Sequence, residues 1–204
     1  IVPVHGVVQL ASNSTRTLAL INHVKKRIFF PSLVGLPIGT LVAVYLIQSI
    51  SNREIFYFLI AGLIFYTLFK PKKLPPLKIP FWSFGILALF AGILNPLIGA
   101  TGPFMAPFYL RDDLTKEQII ATKASVQTVG HLLKIPAFLF LGFDYLNYAL
   151  LIGLMTIGVI FGTRMGVKIL KNINEKTFRL IFRSALFVAA IRVLYKAILS
   201  LYLL

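Results

Sequence analysis

The sequence has no cysteine, which excludes a disulfide, a thiolate metal site and a cysteine nucleophile. It has little acid: 6 Asp and Glu stand against 21 Lys and Arg. It has little charge of either sign, 13% of 204 residues, about half of what a soluble domain carries. The acidic residues Glu54, Asp112, Asp113, Glu117, Asp144 and Glu175 all fall in connectors or at the ends of apolar stretches. None sits in mid-membrane, where a cation pump or channel usually places a carboxylate. No His-Glu-x-x-His occurs, which disfavours an intramembrane metalloprotease. No buried Ser/His/Asp set is visible for a serine protease. Nothing in the sequence asks for a cofactor or a metal. The first residues, IVPVHGVVQ, have neither a basic n-region nor a small-residue cleavage site, so they do not read as a signal peptide.

What is present is apolar. Hydrophobic residues make up 58% of the chain, and the mean hydropathy is +0.86. Such a chain cannot face water on all sides. The expectation is an all-α, polytopic integral membrane protein, multi-pass in the cell (inner) membrane. The net charge of +15 would point to nucleic acid in a soluble protein. In a membrane protein it reports orientation and contact with anionic headgroups. The lipid bilayer is therefore the expected partner, nucleic acid is not, and a homo-oligomer is left open.

Seven hydrophobic stretches can be marked, at about 4–21, 29–49, 55–69, 81–110, 117–141, 145–170 and 177–203. The fourth is too long for one span, since at about 1.5 Å per residue it exceeds a hydrocarbon core of about 30 Å. Its middle, NPLIGATGPFMAP, holds Asn95, Pro96, Gly99, Thr101, Gly102, Pro103 and Pro107. Prolines and glycines at that density break the helical ladder. Broken backbone at membrane depth must lie inside protein or along a polar cavity. The reading is two half-helices, about 81–94 and 102–110.

Two blocks recur in register. Val8-Gln9, with Arg16 seven residues after Gln9, matches Val126-Gln127 with Lys134. Gly35-x-x-x-Gly39-Thr40 matches Gly158-x-x-x-Gly162-Thr163. The expected organisation is a first repeat over 1–70 with three spans, a basic Pro-rich connector over 71–80, and a second repeat over 81–204. The broken element opens the second repeat, and its partner in the first is expected before Ile1. Connector charges give the handedness. They are +3 at 22–28, 0 at 50–54, +4 at 70–80, −1 at 111–117, −1 at 142–147 and +3 at 168–179. Lys and Arg favour the cytoplasmic side. If the broken element is a re-entrant hairpin, 22–28, 70–80, 111–117 and 168–179 share one side with a total of +9. Equivalent connectors then take opposite sides, as inverted repeats require.

The segments Gly92-x-x-Asn95-Pro96-x-x-Gly99-x-x-Gly102-x-x-x-x-Pro107, Ala121-Thr122-Lys123-Ala124-Ser125 and Gly158-x-x-x-Gly162-x-x-x-Gly166 resemble the sulfite exporter TauE/SafE family, also called the 4-toluene sulfonate uptake permease family. The resemblance runs from Pro3 to the seventh stretch. It implies a transporter of sulfite, sulfonates, sulfoacetate or related small organic anions, and not an enzyme. The family carries a glycine-rich stretch in both halves, and this sequence has only the second. Ala100, Thr101 and Pro103 make that stretch less glycine-rich here.

The residues themselves point the same way. The turn at 99–102 leads into a half-helix whose N-terminus offers free N–H groups and the positive end of a dipole, an arrangement that binds anions. Gly99 and Gly102 let a ligand approach the backbone, Thr101 adds a hydroxyl, and Asn95 can donate from the other half-helix. Lys123 and Gln127 are four apart and share a helical face. Lys123 either faces a cavity or snorkels, being near the start of its stretch. Gln9 is the counterpart of Gln127, and Asn13 completes the set. His5 and His131 read as hydrogen-bonded packing residues. Arg183 and Arg192 lie nine apart on opposite faces and read as headgroup contacts. The leading expectation is a secondary transporter or exporter of a small anion, working by alternating access. The alternatives are a membrane enzyme or assembly factor acting on an anionic lipid-linked substrate, and a channel-like anion leak.

Overall fold

The computed structural model describes residues 1–49, 79–99 and 101–202. Among these residues there are helices and no strand. Helix α1 spans Val2–Ala19, and a 3-10 turn at Ile21–His23 joins it to α2, Lys26–Ser49. Then come α3 (Ser83–Ile98), α4 (Gly102–Tyr109), α5 (Lys116–Phe140), α6 (Ala149–Asn172) and α7 (Glu175–Tyr202). The expected third stretch at 55–69 and the connector up to residue 78 lie outside the described residues.

By length and composition alone, two described helices can cross a membrane, Lys26–Ser49 and Leu146–Asn172. Helices α1 and α5 are long but carry polar side chains along one face. Large apolar side chains such as Phe30, Leu41, Leu150 and Phe161 point outward, as on a surface that meets lipid rather than water.

Local chemistry sets the helix ends. Helix α5 starts with a capping box: Thr115 Oγ1 accepts from the Gln118 amide at 3.3 Å, and Gln118 Oε1 accepts from the Thr115 amide at 3.2 Å. Helix α3 extends to Ile98, four residues past the expected 94, and keeps Pro96 within its last turn. It stops at Gly99, where φ is 92°, a left-handed conformation that favours glycine. Helix α4 starts at once, with Pro103 in its first turn, where a missing N–H costs nothing.

The broken element is a hairpin that returns to the side it came from. The Phe84 ring, at the start of α3, meets the Tyr109 ring, at the end of α4, edge to face at 5.2 Å. Arg111 Nη1 donates to the Ile79 carbonyl at 2.6 Å, and its guanidinium sits 4.7 Å from the centre of the Phe81 ring. The same end of the bundle gathers other connectors. The Lys25 amide donates to Thr122 Oγ1 at 2.9 Å. Lys116 Nζ donates to the Leu170 and Ile173 carbonyls at the C-terminus of α6, where a cation is favoured. Arg179 Nη2 donates to the Arg111 and Leu114 carbonyls. The connectors around 25, 79, 111–117 and 170–179 therefore meet.

Glycine lets α3 lie directly on α2. A methyl on Gly35 would overlap the Gly85 carbonyl, and one on Gly39 would overlap the Leu89 carbonyl. One on Gly92 would stand 2.6 Å from the Leu36 carbonyl. This contact holds the hairpin in place, with its turn aimed at α1 and α5.

Candidate functional site: the break between α3 and α4

On α5, Lys123, Gln127, His131 and Lys134 follow one another at spacings of four, four and three residues, which puts them on one helical face. On α1, His5, Gln9, Asn13 and Arg16 repeat those spacings. The two stripes face each other head to tail. The His5 and His131 rings meet edge to face at 6.1 Å. Gly6, next to His5, touches the Lys134 stem. At the other end Thr17 Oγ1 and Thr128 Oγ1 are 3.4 Å apart.

The turn of the hairpin sits against the α5 stripe. Lys134 Nζ donates to the Gly99 carbonyl at 2.9 Å, so a cation meets the C-terminal end of α3. Gly102 opens α4 beside Lys123 and Gln127. A methyl in place of its hydrogen would stand 3.5 Å from Gln127 Nε2 and 3.9 Å from Lys123 Nζ. No side chain caps α4. Its early amides therefore have no partner within the helix. Lys123 Nζ is also 5.8 Å from the centre of the Phe182 ring of α7. It thus lies near both α4 and α7.

The other expected residues divide. Thr101 is buried at the head of α4. Asn95 is 4% exposed, lies against Gly130 of α5, and its Oδ1 has no partner. Gly99 shapes the turn, and its carbonyl is taken by Lys134. Asn13 is engaged within its own helix: Nδ2 donates to the Gln9 carbonyl at 2.9 Å, and Oδ1 accepts from Arg16 Nη1 at 3.3 Å. Gln9 stands beside it at mid-stripe, and no described hydrogen bond joins it to Gln127. His131 departs from the expectation of a hydrogen-bonded packing residue, since it is 3% exposed and its Nδ1 has no partner. Arg183 and Arg192 are exposed on α7.

Lys134 is a residue of the α5 stripe that the sequence reading did not single out for the site. It is fully buried, at 0% exposure. The signal was there: carrying the Lys123–Gln127 spacing on by four and then three residues reaches His131 and Lys134.

Beside Arg16 a groove of about 600 Å³ opens between α1, α5 and α6, lined by Ser12, Gly158, Gly162, Thr163 and Gly166 among others. Ser12 Oγ and Thr163 Oγ1 are hydrogen-bonded at 2.8 Å across it. Among the described residues no group of His, Cys, Asp or Glu could hold a metal. No carboxylate lies on either stripe. The two facing stripes are basic and polar.

The family model for the sulfite exporter TauE/SafE matches residues 1–193. No curated protein and no solved structure matches the chain. The match takes in α1, the α3–α4 break, the whole of α5 and most of α7, so both polar stripes and the turn between them fall within it. The family is one of membrane transporters for sulfite or related anions, which agrees with two basic stripes that lack carboxylates. This chain belongs to the sulfite exporter TauE/SafE family.

Proposed function

We propose that the protein moves a small oxyanion of the sulfite, sulfonate or sulfoacetate type across the cell (inner) membrane, by alternating access between two inverted halves. The observation that carries this is the amide end of α4, which opens beside Lys123 and Gln127 with no side-chain cap and no acid nearby. Backbone N–H groups and the dipole favour negative charge there, the ammonium adds a full charge, and Gln127 donates directionally. Thr101 and Asn95 border the same turn. Gln9 and Asn13 stand on the facing stripe of α1, where they can complete the site as the halves move.

The antiparallel stripes on α1 and α5 support the inverted arrangement. So does the hairpin, because a re-entrant element lets the basic connectors share one side. That side is the cytoplasmic one in this reading. Arg183 and Arg192 then serve contact with anionic headgroups rather than substrate.

Purified protein in proteoliposomes is expected to take up radiolabelled sulfite or 4-toluenesulfonate with saturation. Lys123→Ala combined with Thr101→Val is expected to remove saturation at the same concentrations. Flux that rises linearly without limit would mark a leak, and an absence of flux with the wild type would remove the transport reading.

A further inference from the structure

Beside the α4 end lies a second polar cluster that the anion site does not use. Lys134 is fully buried, and its described hydrogen bond goes to a neutral group, the Gly99 carbonyl. One turn back on α5 stands His131, buried, with Nδ1 unpartnered. From α1, His5 meets His131 edge to face at 6.1 Å, while Gly6 packs on the Lys134 stem. The hairpin contributes the Gly99 carbonyl, which accepts from Lys134 Nζ. The titratable groups that face Lys134 are thus His5 from α1 and His131 from its own helix, and no described acid joins them. Three basic groups therefore lie together with no acid among the described residues to pair with them.

An ammonium buried without a carboxylate is costly. It is relieved in two ways, by a nearby anion or by release of its proton. Lys123 and Lys134 lie 11 residues apart on the same face of α5, about 16 Å along the axis. The turn at 99–102 lies between them and touches both. An anion at the head of α4 therefore stabilises positive charge on the cluster. By linkage, a proton on the cluster strengthens anion binding by the same factor.

We propose that Lys134, His131 and His5 form a proton-carrying site, so that one proton crosses with each anion. A nitrogen lone pair of the cluster takes H⁺ from water on one face, the anion binds at α4, and both leave on the other face. No net charge moves for a monovalent anion. This rests on the anion site proposed above.

The test uses the full chain in proteoliposomes with radiolabelled 4-toluenesulfonate, a strong-acid anion that stays ionised at working pH. An outside-acid gradient is expected to drive its accumulation about tenfold per pH unit, the equilibrium value for one proton per anion. A potassium diffusion potential is expected to change nothing. Lys134→Met is expected to keep exchange of labelled for unlabelled sulfonate at equal pH and to lose gradient-driven accumulation. His131→Gln, similar in volume, is expected to show the same split, and it serves as the second variant if Lys134→Met fails to fold. Exchange in the wild type that ignores the pH gradient would overturn the proton site and leave the anion site standing. Loss of exchange in folded Lys134→Met would overturn it too, by making Lys134 a substrate ligand. A His131→Gln protein that accumulates sulfonate like the wild type would overturn the cluster. No exchange at all in the wild type would remove the underlying transport reading instead.

Discussion

Two helix ends meet within four residues, and they are treated differently. The carbonyl end of α3 stops at Gly99 and is closed by Lys134 Nζ at 2.9 Å. The amide end of α4 begins at Gly102 with no side-chain cap. A cation suits the first end and an anion suits the second. The protein supplies its own cation for the carbonyl end. Beside the amide end it places the Lys123 ammonium and the Nε2 donor of Gln127. The difference teaches that the two ends of one break meet opposite electrostatic needs. In the proposed reading the carbonyl end belongs to the proton-carrying cluster and the amide end takes the anion.

The largest effect is expected from stripping the open end. Lys123→Ala with Gln127→Ala removes one charged and one neutral donor. Hydrogen bonds that involve a charge contribute about 1.5–3 kcal/mol, so sulfonate affinity should fall about 10- to 100-fold, measured as the half-saturation concentration for flux. Next is Gly102→Val, which leaves the helix intact but fills the space in front of Gln127 Nε2. Affinity should fall about tenfold, the equivalent of about 1.4 kcal/mol, with the yield of folded protein unchanged. Gly99→Ala tests the closed end. Its φ of 92° and the Val2 side chain 3.1 Å from the new methyl should destabilise the fold by about 1–2 kcal/mol, read as a lower thermal midpoint, with affinity little altered. The smallest effect is expected of Thr101→Val, which removes one neutral hydroxyl worth about 0.5–1.5 kcal/mol and so a few-fold in affinity. If Gly99→Ala weakens the anion more than Gly102→Val does, the division of labour between the two ends is reversed.

The break itself was legible in the sequence, because Pro96, Gly99, Gly102, Pro103 and Pro107 cannot sit in one continuous helix. So was the shared face of Lys123 and Gln127. Other features were not legible, for physical reasons. Gly35-x-x-x-Gly39 and Gly158-x-x-x-Gly162 have the same spacing and opposite surroundings. The first pair meets the backbone of α3, while among the described residues a methyl on Gly158 or Gly162 would touch nothing within 4 Å. Glycine permits close approach but does not supply the partner. Asn13 was read as facing a ligand, and its amide also bonds within its own helix, to the Gln9 carbonyl and Arg16. Spacing gives the face of a helix but not which local bond a short amide side chain takes. The pairing of Lys134 with Gly99 joins residues 35 apart in the chain, and it follows only from how the hairpin is seated on α2.

The absence of cysteine makes the central claim open to a direct measurement. Thr101→Cys places a single thiol at the head of α4 in an otherwise thiol-free chain, and Leu150→Cys places one on an exposed face of α6. Labelling by a small maleimide is followed with and without 4-toluenesulfonate in protein whose flux has been verified. The account predicts that sulfonate slows labelling at Thr101→Cys, with a concentration dependence that follows transport, and leaves Leu150→Cys unaffected. Equal labelling rates at Thr101→Cys with and without sulfonate, while flux still saturates, would contradict an anion held at the open end of α4.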